Sequence, residues 1–422
     1  MKCLPFLHGD AKEKDPVTKS ASVRSMSTTS TERDVRSGSD FTSLNVSDMS
    51  AESIRRTQYP SFTDRPPNLR VFSFAELKSA TRNFSRSLMV GEGGFGCVYR
   101  GVIKNSDEPS ERIEIAVKQL NRKGLQGQKE WLTEMNVLGI VDHPNLVKLI
   151  GYCADDDERG VQRLLVYEYM PNGSVDDHLS SRSTSTLSWP MRLKVALDSA
   201  RGLKYLHEEM EFQVIFRDLK TSNILLDENW DAKLSDFGLA RHGPAEGLTH
   251  VSTAVVGTLG YAAPEYMQTG RLTAKSDIWS YGVLLYELIT GRRPIDKNRP
   301  KSEQKLLDWV KPYISDVKRF PIIVDPRLEG HYNLKSMTKL SSVANRCLVR
   351  MPKSRPKMSE VYDMVQKIVD SIGTGPPQPP LLHYRGSASD PATKRAKKGS
   401  LRTRLREFGL GCRNIVQRGW KA

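Results

Sequence analysis

The sequence predicts an α+β protein with two lobes, in which a β-rich part is followed by a helix-rich part. Up to about residue 175, strand-like segments alternate with glycines, as in GEGGFGCV, residues 91–98. Longer helical patterns follow, such as MRLKVALDSARGLKYLHEE and SDIWSYGVLLYELITG. Strands and helices segregated along the chain indicate this class. A chain of 422 residues with 38% hydrophobic residues has ample material for a core.

The N-terminal part, residues 1–68, is predicted to be a disordered, Ser/Thr-rich arm. Residues 1–64 carry 19 Ser or Thr and few large apolar side chains. Such a segment cannot bury enough surface to offset the entropy of ordering it. We interpret its hydroxyls as possible phosphorylation sites.

A short docking helix is predicted within residues 69–84, ahead of the main folded domain. In VFSFAELKSATRNF, Phe74, Leu77 and the pair Ala80/Thr81 recur at helical spacing. The domain itself is expected to span residues 85–372.

The C-terminal part is predicted to be a Pro/Gly-rich linker, residues 373–390, and a basic tail, residues 391–422. The tail holds ten Lys or Arg against one acid, Glu407, so the formal net charge of +15 leaves only about +6 for everything before it. A basic tail on a nearly balanced body indicates an address label or a membrane contact, and no specific nucleic acid is expected.

The tail also has the pattern of an amphipathic helix. Its basic residues lie largely off the apolar face, so the helix could rest on an anionic membrane surface. KRAK, beginning at Lys394, leaves a nuclear-import signal open as an alternative. The apolar residues, at intervals of four, three, four and three, are Leu401, Leu405, Phe408, Cys412 and Ile415.

The cysteines and apolar runs argue against a secreted or membrane-spanning protein. Five cysteines are far apart and form no C-x-x-C pair, so a disulfide framework or zinc site is not expected. There is no apolar signal-peptide core at the N-terminus and no run of about 18 apolar residues. We therefore expect a reducing compartment.

The first chemical motif is the glycine pattern G-x-G-x-x-G-x-V, formed by Gly91, Gly93, Gly96 and Val98. Small residues let a hairpin backbone lie close over phosphates. Alone this signal is weak, because glycine triplets also mark ordinary turns and Rossmann loops. It is followed by IAVK, which ends in Lys118.

Acidic residues at three further places complete the pattern. KEWLTEMNVL offers Glu134 as a partner for Lys118, with Glu130 as a rival one turn earlier. We favour Glu134 because Leu138 supplies an apolar neighbour on the same helix face. VIFRDLKTSN then supplies Asp218, and SDFGLA supplies a second aspartate; Phe216 stands where the pattern H-R-D-x-x-x-x-N has His.

Together these motifs resemble the protein-kinase family over about residues 84–370. The resemblance implies a bilobal kinase fold that uses ATP and Mg²⁺, with Asp218 as catalytic base and Lys118, paired to Glu134, on the α and β phosphates. It implies that Asn223 and Asp236 hold the metal. The adenine pocket is expected to include the hinge from Glu168 to Met170, guarded by Tyr167. Three apolar side chains would sandwich the ring: Val98, Ala116 and Leu225.

The resemblance also accounts for Phe216. In this fold the residue before the Arg-Asp pair transfers no proton and packs beneath the Phe of the DFG motif, here Phe237. An aromatic ring can fill that place. The residues that phosphoryl transfer requires are present, so the chain is expected to be an active kinase, and the alternative is a weak pseudokinase that binds ATP and acts as a scaffold.

Two residues indicate the acceptor. Lys220 and Thr258, in GTLGYAAPE, resemble the Ser/Thr-specific branch of the family. Lys220 would neutralise the γ-phosphate during transfer, and Thr258 would brace the Asp218/Lys220 pair. Protein serine and threonine hydroxyls are thus the expected acceptors.

A closer resemblance is to the plant receptor-like cytoplasmic kinases, subfamily VII. FSFAELKSATRNFS, HPNLVKLIGYC, LLVYEYMPNGSV and VSTAVVGTLGYAAPEY carry it. It implies a cytoplasmic relay below receptor kinases of plant immunity. Arg217 and Arg241 are expected to converge on a phosphate at Ser252 or Thr253.

The N-terminus departs from many members of that subfamily, which begin Met-Gly and can be myristoylated. Lys2 replaces the required glycine, which excludes that modification. Cys3 remains a palmitoylation candidate, or an idle thiol. With the basic tail it predicts the cytoplasmic face of the plasma membrane, the cytosol and nucleus being the alternatives.

Overall fold

The computed structural model describes residues 69–93, 96–105, 110–120, 125–157, 160–183, 185–372 and 381–382. It confirms the predicted α+β class, since a six-stranded sheet precedes a region built mainly of helices. The predicted arm with Cys3, and the predicted basic tail, lie outside the described residues.

The N-terminal lobe is built on one mostly antiparallel sheet of strand order β1-β5-β8-β4-β3-β2. Strands β6 and β7 form a separate pair. The elements of this lobe are β1 (Arg70–Val71), α1 (Phe74–Ala80), β2 (Met89–Gly93), β3 (Gly96–Lys104), β4 (Arg112–Leu120), α2 (Leu125–Leu138), β5 (Leu149–Cys153), β6 (Asp156–Asp157), β7 (Gly160–Val161) and β8 (Leu164–Glu168).

The C-terminal lobe contains longer helices joined by short strand pairs. Strand β10 pairs with β13, β11 with β12, β14 with β15, and β9 with β16. The elements are α3 (Val175–Leu179), β9 (Ser185–Thr186), α4 (Trp189–Lys204), β10 (Val214–Ile215), β11 (Ile224–Leu226), β12 (Ala232–Leu234), β13 (Arg241–His242), β14 (Val251–Ser252), α5 (Pro264–Thr269), β15 (Arg271–Leu272), α6 (Ala274–Thr290), α7 (Leu306–Val310), α8 (Leu334–Cys347), α9 (Met358–Asp370) and β16 (Leu381–Leu382).

Helix α6 is the centre of this lobe. It is apolar around most of its circumference and nearly all of its residues are buried, as expected for a helix surrounded by protein. Helices α8 and α4 pack against it. Arg192 of α4 donates to the carbonyl oxygen of Leu288 on α6 and forms a buried ion pair of 2.7 Å with Asp325. None of the helices in the described ranges is long and apolar enough to cross a bilayer.

The segment ahead of the main domain is joined to the sheet by a strand as well as by the docking helix. Strand β1 runs parallel to β5, and the side chains of Phe72 and of Leu77, which is on α1, are fully buried in the core of this lobe. Ser73 caps the helix by accepting a hydrogen bond from the amide of Glu76. Gly151 permits the close approach of β1, because a Cβ atom there would lie 1.9 Å from the carbonyl oxygen of Arg70.

The chain leaves α1 through three consecutive residues in left-handed conformation, Arg82, Asn83 and Phe84, with φ of 50°, 60° and 51°. The amides of Arg82 and Asn83 donate to carbonyl oxygens of the last helical turn, at 3.1 and 2.7 Å. Phe84 stacks on Phe74 with ring centroids 5.6 Å apart. These contacts support a backbone conformation that non-glycine residues rarely adopt.

Residues 381 and 382 of the predicted linker lie within the described part of the chain. Strand β16 lies within residues 373–390 and pairs antiparallel with β9. Through this pairing, residues 381–382 are hydrogen-bonded to the C-terminal lobe.

Candidate active site

The glycine pattern forms the hairpin between β2 and β3. Gly93 pairs with Gly96 across it, and Gly91 pairs with Val98. Gly96 has a φ of 149°, and a Cβ atom there would lie 1.9 Å from the carbonyl oxygen of Gln119. Only glycine fits at this position, because β3 lies against the end of β4.

The structure brings Lys118, Glu134 and Asp236 together from three separate motifs. The Nζ of Lys118 donates to Glu134 Oε1 and, at 2.8 Å, to Asp236 Oδ1. The other carboxylate oxygen of Glu134 accepts a hydrogen bond from the hydroxyl of Tyr167. Glu134 is fully buried, so this lysine and this tyrosine satisfy both of its oxygens.

Burial and charge act in opposite directions on this cluster. Burial disfavours the ammonium of Lys118, but the carboxylates of Asp236 and Glu134 outweigh it and hold the pKa of Lys118 well above its ordinary value. Burial likewise disfavours the carboxylate of Asp236, and Lys118 outweighs it, so the pKa of Asp236 is lowered. Both groups are therefore charged at neutral pH.

Asp218 is held on both sides by the residues predicted to support it. Its Oδ2 accepts from Lys220 Nζ at 2.6 Å, and its Oδ1 accepts from the hydroxyl of Thr258 at 2.6 Å. Asn223 donates to the Asp218 carbonyl oxygen at 3.0 Å. The carboxylate thus has one fixed orientation in the cleft.

The backbone around Asp218 is anchored to Asp277 at the start of α6. This buried carboxylate accepts hydrogen bonds from the amides of Phe216 and Arg217, each at 2.7 Å. His207 Nε2 bonds the same carboxylate at 2.8 Å. Three hydrogen bonds thus fix Asp277 beneath the segment that carries Asp218.

Phe216 packs against Phe237 in the layer where the resemblance placed it. The two rings meet edge to face, with centroids 4.9 Å apart and an angle of 72°. Both side chains are fully buried. Such a pair contributes about 0.5–1.5 kcal/mol beyond the burial of its surface.

The predicted adenine pocket lies where the sheet meets the C-terminal lobe. Ala116 and Leu225 are half-buried and pack on the main core, and Met170 is buried. Val98 stands opposite Lys118 in the β3/β4 pairing. The carboxylate of Glu168 is engaged elsewhere, with Lys233 at 2.8 Å and the amide of Lys148 at 2.7 Å, so it braces the hinge and leaves only its backbone for a nucleotide.

Asn223 and Asp236 fit a divalent cation as a donor pair. The amide nitrogen of Asn223 is used by Asp218, which leaves its amide oxygen, and carboxylate and amide oxygens are the hard ligands that such cations prefer. In the described ranges no cluster of three or more His, Cys, Asp or Glu could hold a metal ion without further ligands. A cation here would need additional oxygens, such as nucleotide phosphates.

Arg217 contacts the segment between the DFG motif and GTLGYAAPE, which we call the activation segment. One Nη of this guanidinium donates to Thr253 Oγ1 at 3.2 Å, and its Nε donates to the hydroxyl of Tyr266 at 2.9 Å. Burial lowers the pKa of Arg217, and the nearby charge of Arg241 lowers it further. Ser252 is exposed on β14, opposite Arg271.

Tyr266 and His207 make site contacts that the sequence did not predict. Tyr266 follows the APE motif directly, but nothing in its spacing indicates that it reaches Arg217. His207 lies at the end of a helical pattern that also suits a surface residue. Only the packing of α5 and α6 brings these side chains to the catalytic loop.

Comparison with known proteins covers most of the chain. Residues 84–365 match the family model described as protein tyrosine and serine/threonine kinase. The serine/threonine-protein kinase PCRK1 of Arabidopsis thaliana is 65% identical over 382 residues, which cover 90% of this chain and 91% of that protein. PCRK2 of the same plant is 61% identical over 403 residues, 94% of each chain. Receptor-like cytoplasmic kinase 176 of Oryza sativa subsp. japonica is 48% identical over 339 residues, 79% and 84% of the two chains.

Proposed function

Because this chain belongs to the protein kinase family and is a serine/threonine protein kinase of the receptor-like cytoplasmic type, we propose that Asp218 is the base for transfer of the ATP γ-phosphate to protein hydroxyls. The observation that carries this proposal is the double support of its carboxylate by Lys220 and Thr258. Nothing in the comparisons favours the alternative of a pseudokinase scaffold, since the named relatives are serine/threonine kinases.

In this mechanism Asp218 accepts a hydrogen bond from the serine or threonine hydroxyl and receives its proton as the bond to phosphorus forms. Thr258 fixes the carboxylate in that direction. Lys220 lies beside it and offsets the negative charge of the γ-phosphate, which is the charge that such a site must stabilise.

Lys118 positions the nucleotide. Its ammonium, kept charged by Glu134 and Asp236, is directed to the α and β phosphates beneath the glycine hairpin. Asn223 and Asp236 would hold Mg²⁺, which supplies charge neutralisation across the phosphates when it is bound. The adenine would lie between Val98, Ala116 and Leu225.

The mechanism is tested by replacing Asp218 with Asn in the full chain. Transfer to a general protein acceptor should fall by about 10²- to 10⁴-fold, the usual contribution of general-base catalysis, while nucleotide binding stays within about twofold of wild type. Asp231→Asn, on the surface of the same lobe, is the control and should transfer at the wild-type rate. Full activity of Asp218→Asn would exclude Asp218 as the base.

The regulatory part of the proposal is phosphorylation of the activation segment. A phosphate on Thr253 would meet Arg217 directly, with Arg241 nearby, and each charge-assisted bond contributes about 1.5–3 kcal/mol. Ser252 is the second candidate hydroxyl. The contact between Arg217 and Thr253 favours the threonine.

For its place in the cell, the resemblance supports a relay that is phosphorylated by plant immune receptor kinases and acts on protein substrates. We place it at the cytoplasmic face of the plasma membrane, with acylated Cys3 and the basic tail as two anchoring signals. Cell fractionation of wild type, Cys3→Ser and a form ending at Gly375 tests this. Identical soluble or nuclear partition of all three would refute both anchors.

A further inference from the structure

A groove of about 790 Å³ on the N-terminal lobe shares no residue with the candidate active site. We call it the N-lobe groove. Helix α1 and the left-handed turn after it form one side, and the β3/β4 hairpin forms the other. Its lining contains five cations: Arg70, Arg82, Arg100, Lys104 and Arg112.

Two of these cations are neutralised locally. Arg70 pairs with Glu76, the single acid in the lining, at 2.6 Å, and Arg100 pairs with Glu114 on the neighbouring strand. The remaining three cations form no ion pair with any of the residues that the structure describes. They are Arg82, Lys104 and Arg112, all exposed.

Two of these three cations face each other across the β3/β4 hairpin. Lys104 and Arg112 are direct cross-strand partners at the end of the hairpin next to its connecting loop. Like charges in that relation destabilise a strand pair, and an anion lying between them would remove the repulsion. The connecting loop carries Asp107 and Glu108, which lie outside the described residues and are kept unchanged in the tests below.

Arg82 is held at the opposite wall by the turn described above. The hydroxyl of Thr81 accepts from the amide of Phe84 at 3.2 Å and donates to the carbonyl oxygen of Leu77 at 2.7 Å. Phe84 also meets Tyr99 edge to face, with centroids 5.4 Å apart. The backbone that carries Arg82 is thus fixed to the sheet, so the groove has cations on both walls.

We propose that the N-lobe groove binds the phosphorylated end of this chain's own N-terminal arm, with phosphate on Ser61 or Thr63. The arm joins the described chain at Leu69, and Arg70 itself lines the groove. Thr63 lies seven residues before Arg70, a reach of at most about 25 Å for an extended chain. The occupant is therefore tethered at the mouth of its site.

Charge complementarity requires the phosphate. Residues 1–68 contain ten Lys or Arg and nine Asp or Glu, so the unmodified arm is nearly neutral. A phosphate adds a charge of about −1.5 to −2 and three acceptor oxygens, which suits a cluster of guanidinium and ammonium groups. A concave site between a helix and a hairpin also suits a peptide better than a flat membrane surface.

The kinase activity of this chain can supply the phosphate from ATP. The Ser61 or Thr63 hydroxyl oxygen bonds to the γ-phosphorus of ATP, the bond from that phosphorus to ADP breaks, and the hydroxyl proton leaves to a base. Only this supply of phosphate rests on the proposed function. A synthetic phosphopeptide tests binding to the groove independently of the kinase activity.

The first experiment measures peptide binding by fluorescence anisotropy on the phosphatase-treated full chain. The labelled peptide spans residues 57–68, with and without phosphate on Ser61 and Thr63. The phosphopeptide should bind at least tenfold more tightly than the plain peptide. The triple variant Arg82→Gln, Lys104→Gln, Arg112→Gln should lose that tenfold, and its phosphoryl-transfer rate should be unchanged.

A matched variant and a vesicle control make the result specific. Lys318→Gln, Lys335→Gln and Lys353→Gln remove three exposed cations from the other lobe and should bind like wild type. Equal phosphopeptide binding by the two triple variants would overturn the proposal. Equal binding of the plain and phosphorylated peptides would also overturn it. A third contrary outcome is that anionic vesicles bind through the groove cations while the phosphopeptide does not bind.

The second experiment tests whether the arm itself occupies the groove. A short tether supplies an effective concentration of about 1 mM, so with a peptide Kd of about 0.1 mM the groove would be filled about ten times as often as it is empty. The full chain made with phosphate on both Ser61 and Thr63 should therefore bind the free phosphopeptide about tenfold more weakly than the chain with Ser61→Ala and Thr63→Ala. Equal affinity of the two would show that the arm does not enter the groove and refute the proposal.

Discussion

Replacing Tyr167 by Phe would remove one hydroxyl from the centre of the Lys118 cluster. That hydroxyl is the protein partner of Glu134 Oε2, and Glu134 is fully buried. A buried acceptor left without a partner costs about 1–3 kcal/mol, and more when it is charged. We therefore expect the free energy of unfolding to fall by about 2 kcal/mol.

The same change should weaken ATP binding. The hydrogen bond from Tyr167 lowers the pKa of Glu134 against the effect of burial. Its loss disfavours the carboxylate and hence the pair that holds Lys118 in place. We expect the KM for ATP to rise severalfold.

Denaturant unfolding and steady-state kinetics of the full chain measure both effects. Tyr313→Phe is the matched control, because Tyr313 lies beside Trp309, away from the nucleotide site, and its hydroxyl makes no hydrogen bond within the described chain. It should keep wild-type stability and KM. If Tyr167→Phe is as stable as this control and its KM for ATP is unchanged, then the hydrogen bond to Glu134 does not support the lysine and the reasoning fails.

Two further predictions concern the activation segment and acid stability. Thr253→Ala should reduce the activity of the receptor-activated protein by about tenfold, because one charge-assisted hydrogen bond is lost, and Ser252→Ala should reduce it less. Thr249→Ala is the exposed control. Equal rates for Thr253→Ala and Thr249→Ala would contradict activation through phosphorylation of Thr253. Burial disfavours the Asp325 carboxylate, but Arg327 and Arg192 outweigh it and lower its pKa below the ordinary value of 3.8. The carboxylate therefore stabilises the fold above about pH 4, and this stabilisation is lost as the pH falls through the folded pKa. The difference in unfolding free energy between wild type and Asp325→Asn should be constant from pH 5 to 8 and shrink below pH 4. Asp363→Asn, at an exposed position, is the control.

The fold class was predictable because each motif has a fixed local conformation. The glycine hairpin, the strand ending in Lys118 and the long apolar α6 follow from residue spacing alone. The contact between Tyr167 and Glu134 was not predictable in this way, because it joins residues 33 positions apart. Sequence patterns assign each of them to an element but do not fix the distance between the two elements.

The N-lobe groove illustrates the same limit for charge. Lys104 and Arg112 alternate with buried residues on ordinary strands, and Arg82 follows a helix. Each is typical of a solvated face when it is considered alone. Their proximity depends on hairpin register and on a left-handed turn that no glycine signals.

Strand β1 also determines where this protein can be shortened. The kinase family model begins at residue 84, yet β1 covers the edge of β5, and Phe72 and Leu77 fill part of the N-lobe core. A protein cut at residue 84 would present a bare strand edge to other molecules, and such edges promote aggregation. The solubility of truncated forms should therefore drop between a start at residue 69 and a start at residue 84, so the smallest soluble form is longer than the family match implies.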